Sequence, residues 1–495
     1  MSDLFYASNP KGLEGVRANE VAQPGSIQGV SINLMGLVGK CVRGRVDKPI
    51  RVTNFARFVE VFGGRDIVDK GALVGEVWKA MLYKDVGEFV VRRVAAAAAV
   101  TATKNASDAV PTAIIRIDAS SPGTWGNGVT YSIEAASNGV ATAFNLRVSW
   151  RGQEQLYQDL SCNGTDDNLA TTIGDDDGNL VVVTKLASGR PVNAAGVALL
   201  AGTDGVIAAT DYNNALTDMA NSKDARYICV PESLEDTVAA AAQATFNGQI
   251  VTAAGASATK VFFTWDGKPA NSKAQATAAV SAQITTRSDR IFYAVNATKI
   301  VDPITGGKIW QGPHVWAAAL ASATDYNDHL GQPENERLTA AIKELQFETF
   351  DDAGTELKAL RDAGASSLER RDTGAVGFHS AVTTSLANGK TELARRRSAD
   401  FLIQSAALGL KQYLRKHLTD KNIRDLNAAM VGFSNDLKEN RATIVKGYTV
   451  DTTMNTPATL AKNQYTVLWV VGLVGHFLEI YLAVDARTGA ITEVN

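Results

Sequence analysis

Apolar and polar positions alternate most regularly near the C-terminus, in YTVLWVVGLVGHFLEIYLAVD at residues 465 to 485. From His476 onward, Leu478, Ile480, Leu482 and Val484 fall on one face and Phe477, Glu479, Tyr481 and Ala483 on the other, the period of two that a strand imposes. A membrane-spanning helix needs about 20 consecutive apolar residues. Here the uncharged run ends near Gly475, His476 and Glu479 follow, and Gly472 and Gly475 sit where a turn or bulge belongs. The stretch predicts two strands and no membrane insertion.

Helical spacing appears in TNFARFVEVFGG, where Phe55, Phe58, Val59 and Phe62 share a face, Thr53 or Asn54 can cap the start and Gly63 and Gly64 can end the helix. A second helix is expected over Asp69 to Lys84, then a strand in EFVVRRV. In TELARRRSADFLIQSAALGLKQYLRKHL, Leu402, Ala406, Leu410, Leu414 and Leu418, with Ile403 and Ala407 beside them, predict one apolar stripe. Strand-like ARYICVP, TKVFFTW and RIFYAVN recur every thirty or so residues with Ala-rich helical segments between, which implies crossover connections and a parallel sheet. Between Ala95 and about Val183, short strands separated by Gly, Asn, Asp and Pro read as mainly β.

These textures divide the chain into an extended arm (1–24), an α/β unit (25–94), a mainly β insertion (95–190), a parallel-sheet α/β domain (191–325) and a C-terminal α+β domain (326–495). The fold class expected is α/β and α+β multidomain. At 495 residues the chain exceeds one ordinary core. The arm, with Pro10, Gly12, Gly15, Pro24 and Gly25 and scattered apolar residues such as Leu4, Phe5 and Tyr6, has no local core to hold it.

Composition removes more functions than it suggests. A net charge of −3 gives no reason to expect nucleic acid as a partner. Cys41, Cys162 and Cys229 are far apart, so neither a disulfide framework nor a zinc site is expected, and free thiols suit a reducing cytosol. The first residues lack a basic and then apolar leader, so nothing marks the chain for secretion. MGLVGKC has two residues between its glycines where a phosphate loop needs four, and Cys41 where it needs Ser or Thr. GDDDGN at 174 to 179 lacks the first and last ligands of a calcium loop and reads as a polar turn. His314, His329, His379, His417 and His476 share no metal-binding spacing, and no G-x-S-x-G elbow accompanies them. No cofactor, metal or catalytic residue is expected. Two basic clusters remain, Arg395, Arg396 and Arg397, then Lys411, Arg415, Lys416 and Lys421: either solvated helix faces or a contact with an acidic protein surface.

Several motifs together resemble one family. GVSINLMGLVGKCVRGRVDKPIRVTNFARFVEVFGG followed by EFVVRRV is similar to the N-terminal signature of contractile-tail sheath proteins. SPGTWGNGVTYSI, LLAGTDGVIAATDYNNAL and the final GYTVDTTMNTPATLAKNQYTVLWVVGLVGHFLEIYLAV resemble later segments of that family, in the same order. Residues 297 to 390 lack the family's Pro-rich link, and Thr203 replaces a glycine of its GG-x-DG segment.

The resemblance implies a non-enzymatic subunit of hexameric rings stacked around an inner tail tube, with baseplate and tail terminator proteins as further partners. It implies a virion component assembled in the host cytoplasm, which contracts to drive the tube through the target envelope. Terminal arms would add strands to neighbouring C-terminal sheets. Leu4, Phe5, Tyr6, His476, Leu478, Ile480, Leu482 and Val484 would then lie at subunit interfaces, and Arg395, Arg396, Arg397, Lys411, Arg415 and Lys416 are the cations available to face the tube. The sheath of a chromosomally encoded injection device is the near alternative, and a soluble α/β hydrolase or ligand-binding protein the distant one.

Overall fold

The computed structural model describes residues 27, 34–63, 88–222, 224–231, 241, 245, 260–265, 272–283, 287–301, 307–332, 339, 342–351, 354–439, 445–473, 483–485 and 490–492. It divides into a larger unit, Ser31–Asp400 with His476–Asn495, and a smaller one, Met1–Val30 with Phe401–Gly475.

In the larger unit an eight-stranded sheet runs Val376–Phe378, Ala365–Arg370, Ile291–Val295, Val261–Thr264, Tyr227–Cys229, Met35–Lys40, Phe89–Val94, Ile50–Val52. The six inner strands pair in parallel and the two edge strands antiparallel. Parallel strands must be covered on both faces, and these are. On one face Met35, Leu37, Phe89, Val91, Tyr227, Cys229, Phe263 and Phe292 pack with Trp316 of the helix Pro313–Ala323. On the other, Val38, Val90, Ile228 and Phe262 pack with Tyr212, Leu216 and Met219 of the helix Ala209–Asn221. The same strands thus supply both layers by alternation.

The expected parallel pairing of the segments near 225, 259 and 290 is present. The expected separation of 25–94 from 191–325 is corrected: Met35–Lys40 lies between Phe89–Val94 and Tyr227–Cys229, so both segments build one sheet. Periodicity reports which face a residue takes and not which strand it pairs with, so the division could not be read from texture. The MGLVGK segment is itself the buried strand Met35–Lys40.

The helix Phe55–Phe62 forms as its spacing predicts. Asn54 Oδ1 accepts the Arg57 N–H at 2.8 Å, and Gly63, at φ 87°, closes the end by donating to Val59 O. The expected helix Asp69 to Lys84 lies outside the described residues.

Between Phe89–Val94 and Tyr227–Cys229 the chain makes two antiparallel sheets. One runs Ala194–Ala198, Thr130–Ala135, Ala143–Trp150, Gln153–Ser161, and the other Thr103–Ser107, Ala113–Ala119, Val181–Lys185. Ile115, Ile117, Trp125, Phe144, Leu146, Val148 and Leu160 fill their shared core. Arg93 and Arg43 fasten this insertion to the sheet. Arg93, buried, donates to Cys41 O at 3.1 Å, Gly44 O at 3.0 Å, Ser121 Oγ at 3.1 Å and Pro122 O at 2.9 Å. The Arg43 guanidinium lies 5.6 and 5.3 Å from the rings of Trp125 and Trp150. Asp175, Asp176 and Asp177 of the GDDDGN turn face Arg45, Arg57 and Lys48.

In the smaller unit the helix Asp420–Glu439 packs on a two-stranded antiparallel ribbon, Val445–Asp451 with Leu468–Leu473. Trp469 Nε1 donates to Ser434 Oγ at 3.0 Å and its ring lies 5.9 Å from that of Phe433. The expected apolar stripe through Leu418 is corrected. Its helix, Leu393–Leu410, ends in a tight turn over Lys411–Tyr413, Leu414 is extended and Arg415 has φ 68°. Leu402 and Ala406 are buried, while Ile403, Leu414 and Leu418 are exposed.

Candidate assembly surface

A two-stranded ribbon satisfies half of its backbone groups and leaves two edges open. Val445–Asp451 and Leu468–Leu473 pair only with each other among the described residues. Along Leu468–Leu473 exposure alternates: Trp469, Val471 and Leu473 are half-buried, and Leu468, Val470 and Gly472 are exposed. Thr449 stands opposite Val470 on the exposed face. Leu468 and Val470 thus form an exposed apolar strip, beside edges that have no partner among the described residues.

The first of the two strands expected in 465 to 485 is therefore this ribbon's second strand. His476, Leu478, Ile480 and Leu482 lie outside the described residues, as do Leu4, Phe5 and Tyr6 of the arm. Val484 is described: Ala483–Asp485 pairs antiparallel with Ala490–Thr492, Val484 opposite Ile491. Sequence reasoning missed Ala490–Thr492, although the turn-forming residues Asp485 and Gly489 between two short β-rich pieces were a hairpin signal.

The structure separates the basic residues. Arg397 is buried and cannot face a partner, which corrects its expected role. It donates to Tyr227 Oη at 2.9 Å, Ala321 O at 2.8 Å and Thr324 O at 2.7 Å. Arg396 pairs with Asp400 at 2.7 Å and Asp289 at 3.2 Å. Arg395 is partly exposed and lies 3.3 Å from Glu392. Lys411, Arg415 and Lys416 are exposed beside Leu414, with the Lys416 ammonium 4.9 Å from the Tyr413 ring centre. Lys421 and Arg424 are exposed on the helix that follows. Arg424 was missed, although it lies three residues beyond Lys421, hence on a neighbouring helical position.

A recess of about 800 Å³ lies where the carboxyl ends of Met35–Lys40 and Phe89–Val94 meet the insertion, the place where parallel sheets hold ligands. Its polar groups are already engaged. Arg93 holds the carbonyls given above, Asp204 accepts from Thr124 N and Oγ1, and Trp150 has both Arg43 and Arg151 against its ring. His314 is buried against Val230 O at 2.9 Å, and burial pushes its pKa down to about 4. Among the described residues no group of His, Cys, Asp or Glu is arranged to hold a metal ion, and no helix is long and apolar enough to cross a membrane.

The sequence matches no protein-family model and no curated protein sequence. Solved structures do share its fold. The sheath tail protein of Listeria innocua superposes with a TM-score of 0.61 at 12% identity, over 91% of this chain and 96% of its own. The sheath tail protein of Desulfitobacterium hafniense gives 0.57 at 15% identity, over 93% and 100%. The contracted helical sheath of the anti-feeding prophage gives 0.53 at 9% identity, over 96% and 99%. The fold is that of contractile-system sheath proteins along nearly the whole chain.

Proposed function

We propose that this chain is a structural, non-enzymatic subunit of a contractile tail sheath. The observation that carries the reading is a sheath fold spanning nearly the whole chain together with a two-stranded ribbon whose edges have no further strand partner among the described residues. Subunits form hexameric rings stacked around an inner tube, and the arm 1–24 and the strand 476–484 add to ribbons of neighbouring copies. Strand addition supplies main-chain hydrogen bonds of about 0.5–1.5 kcal/mol net each, so one arm binds modestly and repetition holds the lattice.

Work comes from the difference in packing free energy between an extended and a contracted lattice, biased by a signal from the baseplate. That scheme calls for no nucleotide, in keeping with a MGLVGK segment that is a buried strand. We assign the contact with an acidic tube to Lys411, Arg415 and Lys416, which are exposed. The fold occurs in phage-type and injection-system sheaths alike, and the same subunit chemistry serves either machine.

The test is negative-stain electron microscopy of the purified chain across a concentration series, alone and with the tube protein. Hollow cylinders with a regular axial repeat are expected. Discrete globular particles under every condition, with tube present, would refute the reading.

A further inference from the structure

The hairpin Ala483–Asp485/Ala490–Thr492 takes in the end of the strand 476–484 expected to link subunits and changes what that end can do. In an antiparallel strand, alternate residues direct their N–H and C=O groups to opposite edges. One edge of Ala483–Asp485 is taken up by Ala490–Thr492, so only the other can join a third strand.

An isolated two-stranded hairpin is marginally stable in water, whereas three or more strands hold together. Among the described residues two sheets are incomplete in this way, this hairpin and the ribbon Val445–Asp451/Leu468–Leu473. Each has edges without a strand partner among the described residues. The new outer edge would be Ala490–Thr492, only three residues long and followed in sequence by Glu493. Short strands with nearby charge are how sheets blunt an edge against further pairing.

Resting on the sheath reading, we propose that the C-terminal hairpin docks closed, as a two-stranded unit, on the ribbon of a second copy, and that Ala490–Thr492 caps the composite sheet. The C-terminal link therefore ends the sheet on its own side. Any other strand that joins the ribbon enters at the opposite edge.

The test locks the hairpin with a disulfide between Val484→Cys and Ile491→Cys, which stand opposite each other in the register. The native thiols Cys41, Cys162 and Cys229 are buried and not disulfide-bonded, so they do not compete under native oxidation. Oxidised and reduced double variants are expected to give the same pelleted fraction and the same cylinders. An oxidised variant that stays in the supernatant while its reduced form pellets would overturn the proposal, because the hairpin would then have to open. A second variant lacking 486–495 is expected to give laterally fused or irregular polymers. Discrete, wild-type-like cylinders from it would also overturn the cap. If neither wild type nor reduced variant polymerises with tube present, the sheath reading fails and this proposal with it.

Discussion

Arg397 shows how little a run of like charges says about where each one points. Successive helical residues are about 100° apart, so three consecutive arginines face three directions, and here one faces the core. The signal was present: Arg397 lies four residues after Leu393 and four before Phe401, on an apolar spacing. Its guanidinium serves carbonyl and hydroxyl oxygens drawn from Tyr227, Ala321 and Thr324. Arg397→Ala would leave those buried acceptors unpaired at roughly 1–3 kcal/mol each. A loss of at least about 3 kcal/mol is expected in denaturant unfolding of the subunit, and a loss below about 1 kcal/mol would show the network to be dispensable. His314 gives a pH signature. Its pKa is near 4 when folded, against an ordinary value near 6.5, so between these the unfolded chain binds the additional proton. Stability should fall as pH drops from 6.5 to 4, by at most roughly 3 kcal/mol, and level off below. His314→Gln should flatten that part of the profile.

Elements were legible where their residues answer to local physics. The helix Phe55–Phe62 was readable to its caps because Asn54 and Gly63 act on their own neighbours. The buried strands near 227, 261 and 291 were readable as apolar runs of strand length. The end of the helix Leu393–Leu410 was not, because the apolar spacing continues through Leu414 and Leu418 after the backbone has left the helix. Those leucines sit in the open beside Lys411, Arg415 and Lys416, the mixed apolar and basic surface proposed above to meet the tube. Replacing Lys411, Arg415 and Lys416 together by Glu should leave subunit unfolding within about 0.5 kcal/mol of wild type, as surface changes do. Co-sedimentation with the tube should be lost. Unchanged tube binding would place the contact elsewhere.

For the whole molecule, the order of motifs indicated the architecture and the later superpositions agree with it, but the boundaries drawn from texture did not survive at the central sheet. Met35–Lys40 touches partners from both sides of the insertion, a non-local fact that no window of sequence contains. Subunit linkage belongs to this scale too. Deleting residues 1–24 should leave the unfolding transition of the subunit unchanged while abolishing cylinders in electron micrographs. A deletion that unfolds the subunit would make the arm part of its core.

The shared sheet also bears on how the protein is made. A ribosome adds about 5–20 residues per second, so Met35–Lys40 and Phe89–Val94 emerge on the order of ten seconds before Tyr227–Cys229 can pair with them. Throughout that interval the nascent chain carries two apolar strands, one with an open parallel edge, while the insertion between them and their partner is still being synthesised. Parallel pairing across such a gap is slow and leaves the edge open to wrong partners. Yield of soluble subunit should therefore depend on translation speed and on chaperones that shield nascent strands.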